Sequence, residues 1–600
     1  MSAPSPNLIR SGQVTFTVMV DGKALLDTIG VVSIETWVAV NKVPRARLII
    51  FDGSAAKQDF EISNQNLFLP GAKVDISLGY PGTAETKVFS GVVVAQSIEI
   101  DTSQPSRLLV DISDDALRMT LERKNGVFEK IKDSDLIGKL IAANGLKKSV
   151  ATTNVVHEEI VQYYASDWDL MLMRAELNGF VVTVDAGTVT VKAPNTSSTP
   201  ALTVTYGESI LDFHAEMDAT TQVQSSAVKS YAWDPSQQKL IDAGPSPVNV
   251  TEPGNVTSAQ LAKVFDIKKY PQQTGAPVEK GSLSDWSSAE ILKSKLSKIR
   301  GTVSFQGSAL VVPGKTIELA GVGKRFNGKA YVSGVNHSVR DGKWITTAEF
   351  GLSALWFAAA MPRIAAPGAS GLLPPIQGLQ TGIVKKVAKD PGGEYRVEIE
   401  LPLLQMPGQG VWARLSSFYA SNKVGDVFYP EIGDEVVVGF MNQDPSYPII
   451  LGSLYSKKIP PPVAPDEKNN KKAIVTRSKL EISFDDQDKI IEINTPGKNV
   501  IRLDDKAGKI TISDGSKNSV TLAKSGVTIE SAASMTLKSK GNMTLDAGAN
   551  LKLSAKANAS MDGLQVAHTA KGKFSANGNG MAELKSSGIL TVRGTLVKIN

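Results

Sequence analysis

Residues 527–561 read VTIESAASMTLKSKGNMTLDAGANLKLSAKANASM, and this stretch shows a strict spacing of apolar residues. Two apolar side chains stand at positions i and i+2, and the pair recurs eight residues later, four times in succession. Mostly small or polar residues and lysine fill the intervals. A fixed period of this kind is typical of repeat architectures. The pairs are Val527/Ile529, Met535/Leu537, Met543/Leu545, Leu551/Leu553 and Ala559/Met561.

Each repeat predicts one short strand with two inward side chains, followed by a tight corner. Eight residues of extended chain reach about 26 Å, which makes one side of a narrow prism rather than a full turn. A closed rung needs about three sides, supplied either by one chain or by three. In both cases we expect Ile529, Leu537, Leu545 and Leu553 to form the core. The alternative is a disordered tail rich in serine, alanine and lysine, and the regular apolar pairs argue against it.

The composition is ordinary for a soluble protein, with 42% hydrophobic and 21% charged residues in 600. The absence of cysteine excludes disulfides and thiolate metal sites, and it fits assembly in a reducing cytoplasm. The formal net charge of +5 is small and lysines are spread along the chain, which does not indicate a nucleic-acid binder. We expect no transmembrane helix, and no signal peptide at residues 1–10, because neither apolar pattern is present.

The hydrophobic pattern divides the chain into five segments. Residues 1–360 combine strand-like alternation with three helical patterns, near 133–145, 167–179 and 287–299. A linker rich in proline, glycine and alanine is predicted at 361–378, and a second linker rich in proline and lysine at 456–472. Between the linkers lies a compact β unit, 379–455, and the repeats belong to a last segment, 473–600. We therefore predict a mainly β protein with a few helices.

The β unit at 379–455 contains the most specific motifs. It reads TGIV from Thr381, YRVEI from Tyr395, VWAR from Val411, VFYPEIGDEVVVGF from Val427 and PIILG from Pro448. This block resembles the OB-fold of VgrG proteins and phage tail spikes. The stretch QYYASD from Gln162 is similar to the Q-Y-x-E-S-D motif of their tail-hub domain, with Ala165 in the acidic position.

The resemblance implies an architecture of two tail-hub β-barrels with a helical insert at 1–360, an OB-fold at 379–455, and a trimeric triangular β-helix, or prism, at 473–600. It also implies a homotrimer. The expected partners are inner tube and baseplate proteins at the hub, effector cargo, and a PAAR-like tip protein seated on Val597, Ile599 and Asn600. The second linker is too short for a lysozyme-like domain, and we expect no effector domain after the prism.

Sequence motifs for chemistry are weak. The run GKRFNGK from Gly323 matches most of a phosphate-binding loop, but Ala330 replaces the magnesium-binding hydroxyl and the surroundings are strand-like, so we predict a turn. The four histidines do not stand at metal-ligand spacing. Acid pairs at 485–486 and 504–505 also read as turns. We predict no catalytic, metal or cofactor site and no nucleic-acid partner. For the OB aromatic residues we favour packing in the barrel or against neighbours: Phe418, Tyr419, Phe428 and Tyr429.

The predicted function is mechanical: a spike subunit of a contractile injection system, type VI-like or extracellular and phage-tail-like, that caps the inner tube and punctures the target envelope to deliver effectors. We expect synthesis in the bacterial cytoplasm, assembly in the baseplate, and then export or release. Two other classes stay open. One is a spike with cell-wall hydrolase activity, and the other is a β-helical adhesin or OB-type ligand-binding protein.

Overall fold

A computed structural model describes residues 3–6, 13–361 and 364–599. The chain forms two compact units, Met1–Leu454 and Tyr455–Asn600. Within the described ranges, no helix is both long and apolar enough to cross a bilayer.

Strands dominate the region that ends at Phe350. They are β1 (Thr15–Val20), β2 (Lys23–Ala24), β3 (Val31–Ala39), β4 (Arg45–Phe51), β5 (Lys73–Gly79), β6 (Thr86–Glu99), β7 (Arg107–Ser113), β8 (Arg123–Lys132), β9 (Lys147–Val150), β10 (Val156–Ser166), β11 (Val181–Asp185), β12 (Thr188–Lys192), β13 (Thr203–Thr205), β14 (Ile210–Met217), β15 (Val228–Asp234), β16 (Lys239–Ala243), β17 (Tyr270–Thr274), β18 (Ile299–Gln306), β19 (Thr316–Ala320), β20 (Gly328–Arg340) and β21 (Lys343–Phe350). The α-helices are α1 (Arg118–Leu121), α2 (Asp133–Ala143), α3 (Asp167–Leu177), α4 (Ser258–Phe265), α5 (Lys280–Ser297) and α6 (Phe357–Ala360).

One sheet joins the beginning and the end of this region. In the described residues it has thirteen strands, and the long strand β20 pairs with both β3 and β21. Alternation along each strand puts apolar side chains on one face, as in β4, where Ala46, Leu48 and Ile50 are buried. The two ends of the sheet cover separate cores, one around Ile34, Leu48 and Ile76 and the other around Val303, Phe305 and Phe350.

Two of the three predicted helices lie where the pattern places them. Helix α3 begins after Ser166, whose hydroxyl accepts a hydrogen bond from the Asp169 amide at 3.1 Å. Helix α2 also begins at the predicted residue, but the Asp133 carboxylate does not cap it. Together they bury Leu136, Ile137 and Met171 against β11 and β12.

The third helix, α5, starts at Lys280, seven residues earlier than the pattern predicts. Its first two turns bury Leu283 and two serines against the small sheet of β15, β16 and β17. Ser287 Oγ donates to the Ala243 carbonyl at 3.0 Å, and it also lies 2.7 Å from Ser230 Oγ. Because this buried face is largely polar, its helical period was invisible to a hydrophobic pattern.

The β unit after the first linker is a closed barrel. Its strands are β22 (Gln380–Lys386), β23 (Val397–Glu400), β24 (Val411–Leu415), β25 (Ala420–Ser421), β26 (Val424–Gly425), β27 (Glu435–Phe440) and β28 (Pro448–Ser453). The barrel follows the order β22-β23-β24-β28-β27, and β25 and β26 form a separate hairpin. Eight buried apolar side chains fill it, among them Val384, Ile399, Val436 and Ile450.

The second unit contains one antiparallel sheet. Its strands are β29 (Lys471–Val475), β30 (Glu481–Asp485), β31 (Ile490–Asn494), β32 (Val500–Asp504), β33 (Lys509–Ser513), β34 (Ser519–Ala523) and β35 (Gly526–Glu530). Each strand pairs with the next along the chain, so the sheet is a simple meander. Short turns link the strands, and the shortest of them, 524–525, joins β34 to β35.

Candidate trimerisation face and spike

The antiparallel register of the meander aligns the apolar pairs in two columns. Ile493 stands opposite Ile501, which stands opposite Ile512, and the column continues through Val520 to Ile529. The second column runs in parallel through Phe484, Ile491, Leu503, Ile510, Leu522 and Val527. All these side chains share one face because residues two apart on a strand point the same way. We call this surface the apolar face.

The apolar face is uncovered within the single chain. Ile491, Ile501 and Ile510 are 42%, 40% and 39% exposed, although isoleucine is one of the residues most often found fully buried. Soluble proteins rarely leave a continuous apolar surface of this length open to water, and such surfaces mark interaction sites. The apolar face is therefore a candidate interaction surface.

The opposite face of the meander is mostly polar, although Ile490 and Val500 also lie on it, and part of its charge is paired. Arg502 donates to Glu492 at 2.6 Å and to Asp504 at 2.9 Å. Hydrogen bonds from Asn494 and then Arg502 lower the pKa of Glu492. The Glu492–Arg502–Asp504 group therefore satisfies its own charges within one chain.

The predicted acid pairs of this region close turns, as the sequence indicates. The Asp485 carboxylate accepts from the backbone amides of Gln487 and Asp488, and Asp504 accepts from Ala507. The hydrogen bonds from Lys471 and from the turn amides keep the pKa of Asp485 below its ordinary value. These carboxylates are structural turn residues.

The eight-residue period persists beyond β35 without intrachain strands. Between residues 531 and 599 the described chain bends at Ala532, Lys540, Gly548, Lys556, Leu564, Lys571, Asn579, Ser587 and Thr595. The predicted core residues Leu537, Leu545 and Leu553 are 70%, 64% and 74% exposed, and Ile529 on β35 is 56% exposed. Extended segments with open apolar pairs are what one chain of an intertwined prism would show, so these residues remain a prediction.

One spacing in the bend series is seven residues instead of eight, between Leu564 and Lys571. The prediction from sequence missed this shift and therefore lost the repeat after Met561. With the shift, the apolar pattern resumes with Val566/His568, Phe574/Ala576, Ala582/Leu584 and Leu590/Val592. The rings of His568 and Phe574 are 6.1 Å apart and stack, consistent with neighbouring inner positions. The shift is readable from the sequence once a one-residue slip is allowed.

The predicted tip platform lies at the end of this series. Val597 is 47% and Ile599 is 90% exposed. Asn600 lies outside the described residues.

The candidate phosphate loop is a turn, as predicted. The amides of Phe326 and Asn327 both donate to the Gly323 carbonyl, at 3.1 and 3.0 Å. Strand β20 follows directly, where a phosphate-binding loop would lead into a helix. In the described ranges, no group of three or more histidine or acidic side chains is close enough to hold a metal ion.

Two of the histidines take part in structural networks of the first unit. His337 is buried; its Nδ1 lies 2.9 Å from Thr346 Oγ1 and receives the Trp344 Nε1 hydrogen at 3.3 Å. Burial lowers the pKa of His337 to about 4, so it is neutral at pH 7. His157 contacts the Asp133 carboxylate, which also accepts from Arg174 at 2.6 Å and from Asn178 at 2.8 Å.

The Asp133 network gives a testable pH dependence. Burial raises the pKa of Asp133, but hydrogen bonds from His157 and Arg174 outweigh burial and lower it from 3.8 to about 2. A depressed folded-state pKa stabilises the protein above about pH 4, and this contribution of about 2 kcal/mol is lost as the pH falls to about 2. Asp133→Asn should therefore have a lower free energy of unfolding than wild type at pH 7. The difference between the two proteins should become smaller by about 2 kcal/mol at about pH 2. Urea unfolding of wild type and Asp133→Asn across this pH range measures the difference. A difference that does not change with pH would contradict the lowered pKa of Asp133.

The OB aromatic residues lie outside the apolar core of the barrel. Phe418 is fully exposed, and Tyr419, Phe428 and Tyr429 are 58%, 65% and 40% exposed. Phe418 and Tyr419 precede the β25–β26 hairpin, and Phe428 and Tyr429 follow it. Of the two predicted roles, packing in the barrel is wrong for Phe418, and contact with neighbours stays a prediction.

Comparison with known families gives the assignment. The family described as the Alg8 N-terminal domain matches residues 10–341, more than half of the chain. The chain belongs to the Alg8 N-terminal domain family. The type VI secretion system/phage-baseplate injector OB domain matches residues 380–455 of this Alg8-family chain. The phage baseplate V C-terminal trimerisation domain matches residues 490–567, which include most of the apolar face.

Curated relatives match this Alg8-family chain over short stretches. The actin cross-linking toxin VgrG1 of Vibrio cholerae is 37% identical over 81 residues, 13% of this chain and 7% of the relative. The type VI secretion system spike protein VgrG3 of Vibrio cholerae is 33% identical over 81 residues, 13% and 8% of the two chains. The chain thus spans less than a tenth of the length of these two relatives.

Solved structures match the Alg8-family chain at low identity and low TM-score. The 43 kDa tail protein of prophage MuSo2 from Shewanella oneidensis has a TM-score of 0.42 at 11% identity, covering 57% of this chain and 99% of its own. A Francisella PdpA-VgrG complex has a TM-score of 0.37 at 10% identity, covering 87% and 88%.

The family matches test two expectations drawn from the sequence, the family resemblance and the fold class. The resemblance to VgrG-like and phage tail-spike proteins is confirmed by the injector OB domain and the trimerisation domain. The mainly β class and the OB-fold are confirmed as well, by the strand content and by the closed barrel.

Proposed function

We propose that this chain is the structural central spike subunit of a contractile injection system and that it acts as a homotrimer without enzymatic activity. The hub caps the inner tube and contacts the baseplate, and the prism breaches the target envelope when the sheath contracts. The observation that carries the proposal is the apolar face: two columns of apolar residues, open in one chain, within a segment that matches a trimerisation domain.

Three-fold assembly accounts for the chemistry of this surface. Three copies of the meander can turn their apolar faces to a common axis and leave the Glu492–Arg502–Asp504 face in water. Burial of apolar area at about 25 cal/mol per Å² drives such an assembly. Beyond the meander, strands from three chains supply one another's backbone hydrogen bonds, with Ile529, Leu537, Leu545 and Leu553 inside.

The partners follow as proposals from the same arrangement. The exposed end at Val597 and Ile599 is the seat of a PAAR-like tip protein. Inner tube and baseplate proteins bind the hub, and effectors travel with the assembled particle. The system is type VI-like or extracellular and phage-tail-like. Synthesis takes place in the bacterial cytoplasm, before assembly in the baseplate and export or release.

The native mass of the purified protein tests the proposal. We expect three times the mass of one chain, which is 63.8 kDa. A folded monomer in native mass spectrometry would overturn the spike proposal and favour an adhesin that closes its own prism. Incubation of the trimer with purified peptidoglycan, followed by zymography, separately tests for hydrolase activity; cleavage there would contradict the non-enzymatic role.

A further inference from the structure

The net positive charge of this protein lies at one end of the sequence, where acidic residues are scarce. Residues 515–600, which we call the distal segment, contain 11 lysines and arginines against 4 acidic residues, a net charge of +7. The whole chain has 65 basic and 60 acidic residues, so the other 514 residues together have a net charge of −2. A charge asymmetry of this kind is typical of segments that meet an anionic partner.

The two parts of the second unit differ in charge balance. In residues 471–514, nine lysines and arginines stand among eight acidic residues, and four of the cations form these ion pairs: Lys471 with Asp485, Lys472 with Asp486, Lys506 with Asp488, and Arg502 with Glu492 and Asp504. Lys479, Lys489, Lys498 and Lys509 are exposed and take no part in these pairs. In the described part of the distal segment, by contrast, no lysine or arginine forms an ion pair, and all are exposed. Their charge is therefore available to a partner.

The positions of these cations follow the repeat. Lys540, Lys556 and Lys571 occupy bends, at every second corner of the chain. Lys552 stands between the two inward residues of its repeat, on the outward side. Apart from Lys598, which falls on the next position of the series, no distal lysine or arginine occupies a pair position. In a trimer each corner lysine would form a ring of three charges at the largest radius.

We propose that the distal segment is a binding surface for anionic lipid headgroups. The inference rests on the proposed spike function and adds the chemistry of the surface that the spike meets. Every lysine held near an anionic bilayer adds to the attraction, and three-fold rings multiply the number in contact. Single-stranded nucleic acid is the weaker fit, because base stacking needs aromatic side chains and the distal segment has only Phe574.

A pair of matched variants tests this surface. In the distal variant, Lys538, Lys540, Lys556, Lys571 and Lys573 are changed to glutamine, which lowers the segment's net charge from +7 to +2. In the control variant, five meander and linker lysines outside the ion pairs named above are changed to glutamine: Lys468, Lys479, Lys489, Lys498 and Lys509. Both variants lose the same total charge from the same unit.

The measurement is co-sedimentation of the full-length protein with vesicles of phosphatidylcholine, with and without about one-third phosphatidylglycerol. We expect the wild type to prefer anionic vesicles by about ten-fold at about 0.15 M NaCl and to lose the preference at about 0.5 M. The distal variant should lose the preference and the control variant should keep it. Equal loss in both variants, equal binding to both vesicles, or tighter binding to an oligonucleotide at the same salt would each overturn the inference.

The native mass of the same samples separates this inference from the proposed function. One outcome is a trimer, with three times the 63.8 kDa mass of one chain, that does not prefer anionic vesicles. That result would refute the lipid-binding surface but not the proposed spike function. A monomer would refute the spike itself.

Discussion

Ile501→Asp is expected to convert the trimer to monomers. Ile501 lies in the middle of the apolar face, opposite Ile493 and Ile512. In one chain this side chain is 40% exposed, so a carboxylate is tolerated and the meander stays folded. In a trimer three carboxylates would be brought to one axis without partners, and each costs several kcal/mol to desolvate. Native mass spectrometry should show the 63.8 kDa of one chain in place of three times that mass.

Thr511→Asp is the matched control. Thr511 lies one strand away on the polar face, directly opposite Arg502, which can receive the new charge. The same carboxylate there should leave the trimer intact. A trimeric Ile501→Asp protein of normal stability would show that the apolar face is not the assembly surface. Loss of the trimer in Thr511→Asp alone would show that the polar face is.

Lys298→Met is expected to cause a large loss of stability in the first unit. Lys298 is 1% exposed, and its Nζ contacts Glu252 at 2.9 Å and donates to the carbonyls of Pro253 and Val256 at 2.7 and 2.8 Å. Methionine fits the space but leaves Glu252 charged, half-buried and unpaired. Removal of one partner of a buried pair costs about 3–5 kcal/mol. Burial raises the pKa of Glu252, but hydrogen bonds led by that from Lys298 outweigh burial and lower it, so the variant should raise that pKa.

A second substitution at Glu252 checks the cause. Glu252→Gln removes the stranded charge and retains an acceptor for the Ser258 amide, which donates at 2.8 Å. The double variant should regain part of the lost stability, though not the hydrogen bonds to the two carbonyls. Urea unfolding followed by tryptophan fluorescence measures all three proteins. A Lys298→Met protein within about 1 kcal/mol of wild type would contradict a stabilising role for this pair.

The parts of the fold that sequence predicted well depend on local periodicity. Residues two apart on a strand share a face whatever the surroundings, so the pairs Ile491/Ile493 and Ile501/Leu503 were bound to form columns once neighbouring strands aligned. Helix α3 was also predictable, because Leu170, Met173 and Leu177 recur at helical spacing, although the capping residue is Ser166.

The parts that sequence missed depend on contacts between distant residues. Nothing near Lys298 indicates that it is buried, since Glu252 and the two carbonyls come from a loop more than 40 residues earlier. The same holds for Asp133, which reads as a helix cap and instead accepts from Arg174 on another helix. The start of α5 was missed because its buried side chains include serines bonded to β15 and to the end of β16.

The candidate site is harder to predict than the strands and helices, because in the proposed trimer its geometry depends on more than one chain. The apolar pairs predict which side chains face inward, and for Leu537 and Leu545 this orientation stays a prediction. The number of chains cannot follow from the period alone, since one chain or three can close a rung. The match to a trimerisation domain at 490–567 favours three.

The seven-residue spacing between Leu564 and Lys571 acts as an alignment mark. A perfectly periodic fibre offers many nearly equal ways to assemble, because a chain displaced by one repeat still meets apolar pairs with apolar pairs. Here a displaced chain would place its seven-residue repeat beside an eight-residue repeat of a neighbouring chain. The strands there would be one residue out of register, with a gap at the corner, and every side chain of the mismatched strand would point to the opposite face. In the proposed trimer, a single missing residue would thus make one alignment of the three chains the most stable.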